Sequence, residues 1–402
     1  MNKRILFVDD EPMVLNGLER SLRGMRKEWE MAFLPGGPEA LQAMAQAPFD
    51  VVISDMRMPG MDGAQLLELV RERFPQTVRM VLSGQSDKDA LFRAIRPTHQ
   101  YLSKPCDVRE LKQKLKCALG LPDVLDSPEL KQRVSQVETV HSLPSLYQAL
   151  RTLLESPHPS LREAGEIVTR DPGMTAKLLQ LVNSAFLGTA SRVACPRQAL
   201  SVIGLDNLLS LVVSVGLFSE LPQEMGMLAP LWKHAHSTAR FAQAIACCEQ
   251  ADETTVQDSF TAGLLHETGW IVLASAHGEQ FKSLWSTLNK GFVSMDSEQT
   301  AFGGTHAQVG AYLLGLWGLP DAIVEAVAWH HAPAQARPTI FCPLLAVHVA
   351  DCWDRQLNLP SPLTQIEEAI DEELLAQLGL RNRLPVWQKR CQEIDQREEH
   401  HG

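Results

Sequence analysis

The chain changes its hydrophobic rhythm about a third of the way along. Over residues 1–120, short apolar runs rich in β-branched residues alternate with longer stretches whose apolar positions recur at i, i+3 and i+4. RILFV, FDVVIS, VRMVLS and HQYLS read as strands, with WEMAFL as the remaining one. MVLNGLERSLR, PEALQAMAQ, GAQLLELVRERF, KDALFRAI and VRELKQKLKCAL read as amphipathic helices. Strands alternating with helices predict an α/β fold around a doubly wound, parallel five-stranded sheet. Residues 121–140, with PDVLDSPELKQRVSQVETV, are polar, carry two prolines and predict a partly helical linker. From 141 to 355 the helical rhythm holds nearly throughout, as in SLREAGEIVTR, MTAKLLQLVNSAF, ALSVIGLDNLLSLVVSVGLF and QVGAYLLGLW, which predicts an all-α domain. Residues 356–402 extend it with further helix and a charged tail.

At 402 residues, two or three domains are expected. Lys and Arg total 37 against 48 Asp and Glu, a net charge of -11 that disfavours non-specific binding to polyanions. The eight cysteines form no CxxC pair, which suits reduced thiols. The start, MNKRILFVDDEP, lacks the apolar core of a signal peptide, and no apolar stretch approaches the ~20 residues that span a bilayer. A cytoplasmic location without membrane contact is therefore expected.

Functional groups of a parallel sheet gather at the carboxyl ends of its strands. Here those ends carry Asp9 and Asp10, Asp55, Ser83 and Lys104. Three carboxylates in one crevice repel one another, and a hard cation such as Mg2+ relieves the repulsion by oxygen ligation. Lys104 adds a fixed positive charge and Ser83 a hydroxyl donor, leaving Asp55 as a nucleophile able to form an acyl phosphate. The bland alternative is a flavodoxin-like domain with acids merely solvated at its loop ends.

DMRMPGMDG after the third strand, and a Lys-Pro after the last, tip the balance. With FVDDEP, LSG and YLSKP, this stretch resembles the receiver domain of two-component response regulators. The resemblance implies that Asp55 is the phosphoacceptor. Asp10 and the backbone carbonyl of Arg57 would join it on Mg2+, with Asp9 acting through water. Tyr101 would be the switch aromatic that follows Ser83 toward the phosphoryl group. A sensor histidine kinase or a phosphotransfer protein would be the donor, and a homodimer through the fourth-to-fifth helix region is a further option.

Seven of the thirteen histidines fall between His234 and His331. His234, His266 with Glu267, His306, His330 with His331, and Asp351 on separate helices form a donor set that suits iron, manganese or zinc. Neutral histidines satisfying one another in a helical core account for the same spacing. RDPGMTAKLLQLVNSAFLG, ALSVIGLDNLLSLVV, LWKHAHSTARFAQAIA, THAQVGAYLLGLWGLP and VAWHHAP resemble the HDOD domain, a helical relative of the HD phosphohydrolases. Against the catalytic relatives, His-Glu replaces His-Asp, Trp270 stands where they carry a lysine, and APAQARP follows His331 in place of a GYP-type segment. The resemblance thus implies a degenerate centre without hydrolase activity, in which Glu267 can still ligate iron or manganese, so metal binding without turnover stays an option though not the expected one. The expected output is regulated contact with a downstream protein. The alternatives are a metal-dependent phosphodiesterase acting on a cyclic dinucleotide, and DNA binding through the C-terminal tail, where LRNRLPVWQKR is a small basic cluster and direct nucleic-acid contact is not expected.

Overall fold

Five strands, β1 (Lys3–Val8), β2 (Trp29–Leu34), β3 (Val51–Asp55), β4 (Val78–Ser83) and β5 (Gln100–Ser103), pair in parallel in the order β2-β1-β3-β4-β5. The structure is a computed structural model describing residues 3–83, 95–104, 107–121, 124–183, 192–288, 295–358 and 369–399. Helices α1 (Pro12–Leu22), α2 (Gly37–Gln46), α3 (Gly63–Arg73) and α4 (Val108–Gly120) accompany the sheet. The helix expected at KDALFRAI lies largely outside the described residues. Central strands are buried on both faces, which is why they read as continuous apolar runs. Leu6, Val8, Val52 and Val81 join Leu66, Leu67 and Val70 of α3 in one core, each contributing about 1.5–3 kcal/mol on burial.

Local chemistry sets the ends. Asp62 caps α3 by accepting from Gln65 N–H at 2.8 Å while the Gln65 side chain accepts from Asp62 N–H at 3.0 Å, a capping box. Asp107 caps α4 through Arg109 N–H at 2.6 Å. Because β1 lies between β2 and β3, the chain crosses over in opposite directions on its two sides. The crevice at this switch point lies beyond the carboxyl ends of β1 and β3.

The segment expected to be a partly helical linker carries one helix that packs onto the first unit. Its helix α5 (Pro128–Ser135), capped by Ser127, docks against the same sheet. The buried Arg79 of β4 donates to Pro97 O at 2.6 Å and to Ser135 O at 2.9 Å, and lies 2.7 Å from His99 Nε2. Glu138 pairs with Arg71 of α3. The chain divides into two compact units, and Met1–Glu138 forms the body of the first.

After Glu138 the chain is mainly helical: α6 (Pro144–Leu154), α7 (Leu161–Val168), α8 (Pro172–Val182), α9 (Pro196–Ile203), α10 (Leu205–Ser210), α11 (Pro230–Cys248), α12 (Glu253–Leu265), α13 (Thr268–Leu288), α14 (Met295–Phe302), α15 (His306–Leu316), α16 (Asp321–Trp329), α17 (Pro343–Asn358), α18 (Glu372–Gln377) and α19 (Leu384–Glu399). Two differences from expectation stand out. The run ALSVIGLDNLLSLVVSVGLF is not one helix: Gly204, at φ 75°, separates α9 from α10, and a π-helical turn over Leu211–Val215 ends at left-handed Gly216. A two-residue strand, His141–Ser142, also pairs in parallel with Ser219–Glu220, where only helix was expected.

Asp171 precedes α8, accepting from Met174 N–H at 2.8 Å and from Trp232 Nε1–H at 2.9 Å. The basic LRNRLPVWQKR cluster is tied down: Arg383 and the fully buried Trp387 both donate to Glu249 at 2.7 Å. Among the described residues the seven cysteines are free thiols, and no helix is long and apolar enough to cross a membrane.

Replacing Arg79 by Met keeps the stem and removes the guanidinium that holds Ser135 O and Pro97 O. A loss of about 2–4 kcal/mol in urea unfolding is expected, with faster amide exchange over α5. An unchanged unfolding midpoint would refute this reading.

Candidate functional site

Two sites emerge, one in each unit. In the first, Asp9 follows β1 and Asp55 ends β3, both buried, and Lys104 follows β5. The Lys104 ammonium donates to Asp9 Oδ2 at 2.8 Å and pairs with Asp55 Oδ1. Burial works against its charge, but the hydrogen bonds to Asp55 and Asp9 outweigh that and hold it above the ordinary lysine value. Asp55 Oδ2 accepts from Arg57 N–H at 2.8 Å, and Asp9 Oδ1 from Glu11 N–H at 2.9 Å. Asp10 is partly exposed beside Asp9. Tyr101 is buried in the core with Val81 and Leu66, and burial pushes its hydroxyl well above the usual tyrosine range. Ser83 ends β4, with its side chain outside the described residues. Lone carboxylates at this depth would repel; the ammonium and backbone N–H groups compensate them. Oxygen donors in this density fit a hard cation such as Mg2+.

The second site gathers the ends of several helices. His266 and Glu267 lie in the break between α12 and α13, and His330 and His331 follow α16. His306 opens α15, His234 lies on α11, and Asp351 lies on α17. Gly269 lets these meet, because a Cβ there would collide with His306 O. All seven expected residues fall in two groups, His234, His266, Glu267 and Asp351 in one, and His306, His330 and His331 in the other. Within each group the candidate ligating atoms lie within 4.8 Å of one another.

The ring tautomers follow from the partners. His266 Nδ1 donates to Gly263 O at 2.7 Å, and His330 Nδ1 to Val327 O at 2.8 Å; each uses a carbonyl three residues back that the helix end leaves free. A carbonyl only accepts, so each Nδ1 carries the hydrogen and each Nε2 offers a lone pair inward. His234 Nδ1 meets Asp354 at 2.6 Å and His306 Nδ1 meets Glu298 at 2.9 Å. Such outer partners orient imidazoles that bind metals. Around the first group, His234 Nε2 lies 3.1 Å from His266 Nε2 and 3.0 Å from Asp351 Oδ1.

A residue outside the expected set crosses this centre. Arg355 donates to Asp351 Oδ1 and to Glu267 Oε1, each at 2.7 Å. Burial disfavours both carboxylates' charge, yet neighbouring cations and imidazoles win: His306, His266 and Arg355 hold Glu267 low, and Arg355 holds Asp351 well below the carboxylate range. Burial likewise opposes the charge of His234, but Asp351 and Asp354 raise it to about 9. Burial sets His330 and His331 well below their ordinary value. Trp270 stacks on His306 with ring centroids 4.8 Å apart and planes 13° from parallel.

Arg355, Asp354 and Glu298 are the functional neighbours that sequence reading missed. Asp354 and Arg355 sit three and four residues beyond Asp351 on α17, a spacing that shares a helix face and could have revealed them. Glu298, eight residues before His306, carries no such signal. Replacing Arg355 by Met, with chelator present, leaves two buried carboxylates short of a cation. A loss of about 3–5 kcal/mol in chemical unfolding is expected; a change under about 1 kcal/mol would show that the arginine is dispensable.

A profile of the response regulator receiver domain matches residues 5–116, and one of the HDOD domain matches residues 140–333. Over 107 residues the chain is 38% identical to the DNA-binding transcriptional regulator NtrC of Escherichia coli (strain K12), a match spanning 26% of this chain and 22% of NtrC. An uncharacterized protein of Treponema pallidum (strain Nichols) is 28% identical over 239 residues, 58% of this chain and 46% of that protein. The crystal structure of the signal receiver domain of an HD domain-containing protein from Pseudomonas fluorescens Pf-5 is 34% identical, with a TM-score of 0.29, over 30% of this chain and 95% of that one. The chain spans less than half the length of these two curated relatives. The two profiles show one organisation: an N-terminal response regulator receiver domain followed by a C-terminal HDOD domain.

Proposed function

We propose that the chain is a phosphorylation-controlled switch. Asp55 takes a phosphoryl group from a sensor histidine kinase or phosphotransfer protein, and the HDOD domain reports the change by binding a downstream protein. The single observation that carries this reading is the placement of Lys104 between Asp9 and Asp55. An Asp55 oxygen attacks phosphorus in line, and the leaving group departs on the far side. Asp9, Asp10, Asp55 and the Arg57 carbonyl would hold Mg2+, which supplies charge to the transferring oxygens. Lys104, already shared by two carboxylates, is placed to move to the new phosphoryl group. Ser83 and Tyr101 would then follow it, biasing the receiver between two states.

The HDOD centre supports an output without hydrolysis. Among the described residues, His266, His306 and His330 have no exposed surface, which disfavours entry of a phosphodiester. Trp270 covers one face of His306, and Glu267 is engaged by Arg355.

Incubation with acetyl phosphate and Mg2+ is expected to label the chain at Asp55, and Asp55→Asn to abolish the label. Label retained on another residue would overturn the assignment. A panel of cyclic dinucleotides with Mn2+ or Fe2+ is expected to give no turnover, and DNA no salt-dependent shift. Hydrolysis abolished by His266→Ala would establish a phosphodiesterase instead.

A further inference from the structure

Strand β4 reaches from the acid crevice to the linker helix. Ser83 closes it at the crevice, and Arg79 lies near its start, about 13 Å away at about 3.3 Å per residue. In the parallel register Val81 stands opposite Tyr101. Two residues earlier on each strand Arg79 meets His99, whose backbone N–H donates to Arg79 O at 2.9 Å. Side chains alternate along a strand, so Arg79 shares its face with Val81, and His99 shares its face with Tyr101. The expected switch aromatic and the Arg79–His99 pair therefore occupy one face of the sheet.

The Arg79 guanidinium joins three segments. It donates to Pro97 O at 2.6 Å, just ahead of β5, and to Ser135 O at 2.9 Å, at the carboxyl end of α5. Ser135 O is among the carbonyls that a helix end leaves without an internal partner, at the negative pole of the helix dipole, so a cation caps it well. Leu130 and Val134 bury the apolar side of α5. One charge thus holds the helix and the entry to β5 together, and displacing either disturbs the other.

This junction is frustrated. Arg79 N–H lies 3.2 Å from His99 Nδ1, Arg79 Nη2 lies 2.7 Å from His99 Nε2, and that same Nε2 lies 3.0 Å from Ser135 O. A neutral imidazole has one N–H and one lone pair. With the hydrogen on Nε2, His99 satisfies the backbone N–H and Ser135 O but turns a donor toward the guanidinium. With the hydrogen on Nδ1, the guanidinium is satisfied and the other two contacts are lost. In the same strand and its entry, the buried hydroxyls of Tyr101 and Thr98 find no well-aligned hydrogen-bond partner. Buried polar groups left unsatisfied are costly, so a rearrangement of β5 that satisfies them is favoured.

We infer that α5 is a latch, docked on Arg79 and His99 while Asp55 is unmodified and released when Tyr101 moves toward the phosphoryl group. The inference rests on the phosphorylation reading and names the element that carries the change out of the receiver. When Tyr101 draws β5 with it, Arg79 loses the geometry that serves Pro97 O and Ser135 O at once, and α5 comes away. Glu138, paired with Arg71 of α3, is the outer catch of the same latch. The next residue, Thr139, begins the second compact unit.

Hydrogen–deuterium exchange over residues 128–138 of the full-length chain tests the latch, with and without beryllium fluoride and Mg2+. The parent chain is expected to exchange there about fivefold faster with beryllofluoride bound, and Asp55→Asn to give no response. Coupling between sites is reciprocal, so Arg79→Met is expected to bind beryllofluoride about fivefold more tightly, read from the fluorine NMR signal of the bound ion. Exchange that changes around Asp55 and Lys104 while residues 128–138 stay the same, or become more protected, would overturn the latch and leave the phosphorylation reading standing. Unchanged affinity in a folded Arg79→Met would overturn it too. A parent chain that binds no beryllofluoride would overturn both readings. Exchange in the parent chain decides the matter even where Arg79→Met misfolds.

Discussion

A carboxylate taken out of water must find positive charge or hydrogen-bond donors within a few ångströms, and both units of this protein are organised around that requirement. In the receiver, Asp9 and Asp55 end adjacent strands, and Lys104, from a strand two places further across the sheet, serves both. In the helical unit, Glu267 and Asp351 meet at the convergence of helix ends, and Arg355 serves both. One long cation per acid pair is the shared solution. The protein framework around each pair, from the strand order to the close packing at Gly269, keeps that cation in reach.

The two solutions differ in access. Lys104 is partly exposed and Asp10 stands beside the crevice at the surface, so a phosphodonor can approach. The HDOD centre is closed: its charges compensate one another inside the core, with imidazoles shared between Asp354, Glu298 and the central acids. An open acid pocket suits chemistry with a diffusing phosphoryl group.

Much of this was legible in the chain itself, for physical reasons. Strand β3, buried on both faces, must be an apolar run, and its last residue must face the crevice, so FDVVISD announced both strand and site. The seven HDOD positions were legible as residue types capable of sharing a centre, and the fold brings them all there. Arg355 was hidden because a cation near the C-terminal end of a long helix ordinarily faces water. Gly204 was hidden inside an uninterrupted apolar pattern, where periodicity cannot distinguish one helix from two. The docking of α5 depends on Arg79, a charge in the middle of a strand. A strand pattern reads such a residue as outward, whereas its donors are spent on carbonyls of neighbouring segments.

The central claim is that phosphorylation at Asp55 is read by the HDOD domain. Hydrogen–deuterium exchange of the full-length chain tests it most directly, compared with and without beryllium fluoride and Mg2+, which mimic the acyl phosphate. The account predicts changed exchange around Asp55 and Lys104 together with changes in helices of the 140–333 region. Changes confined to the receiver would contradict it.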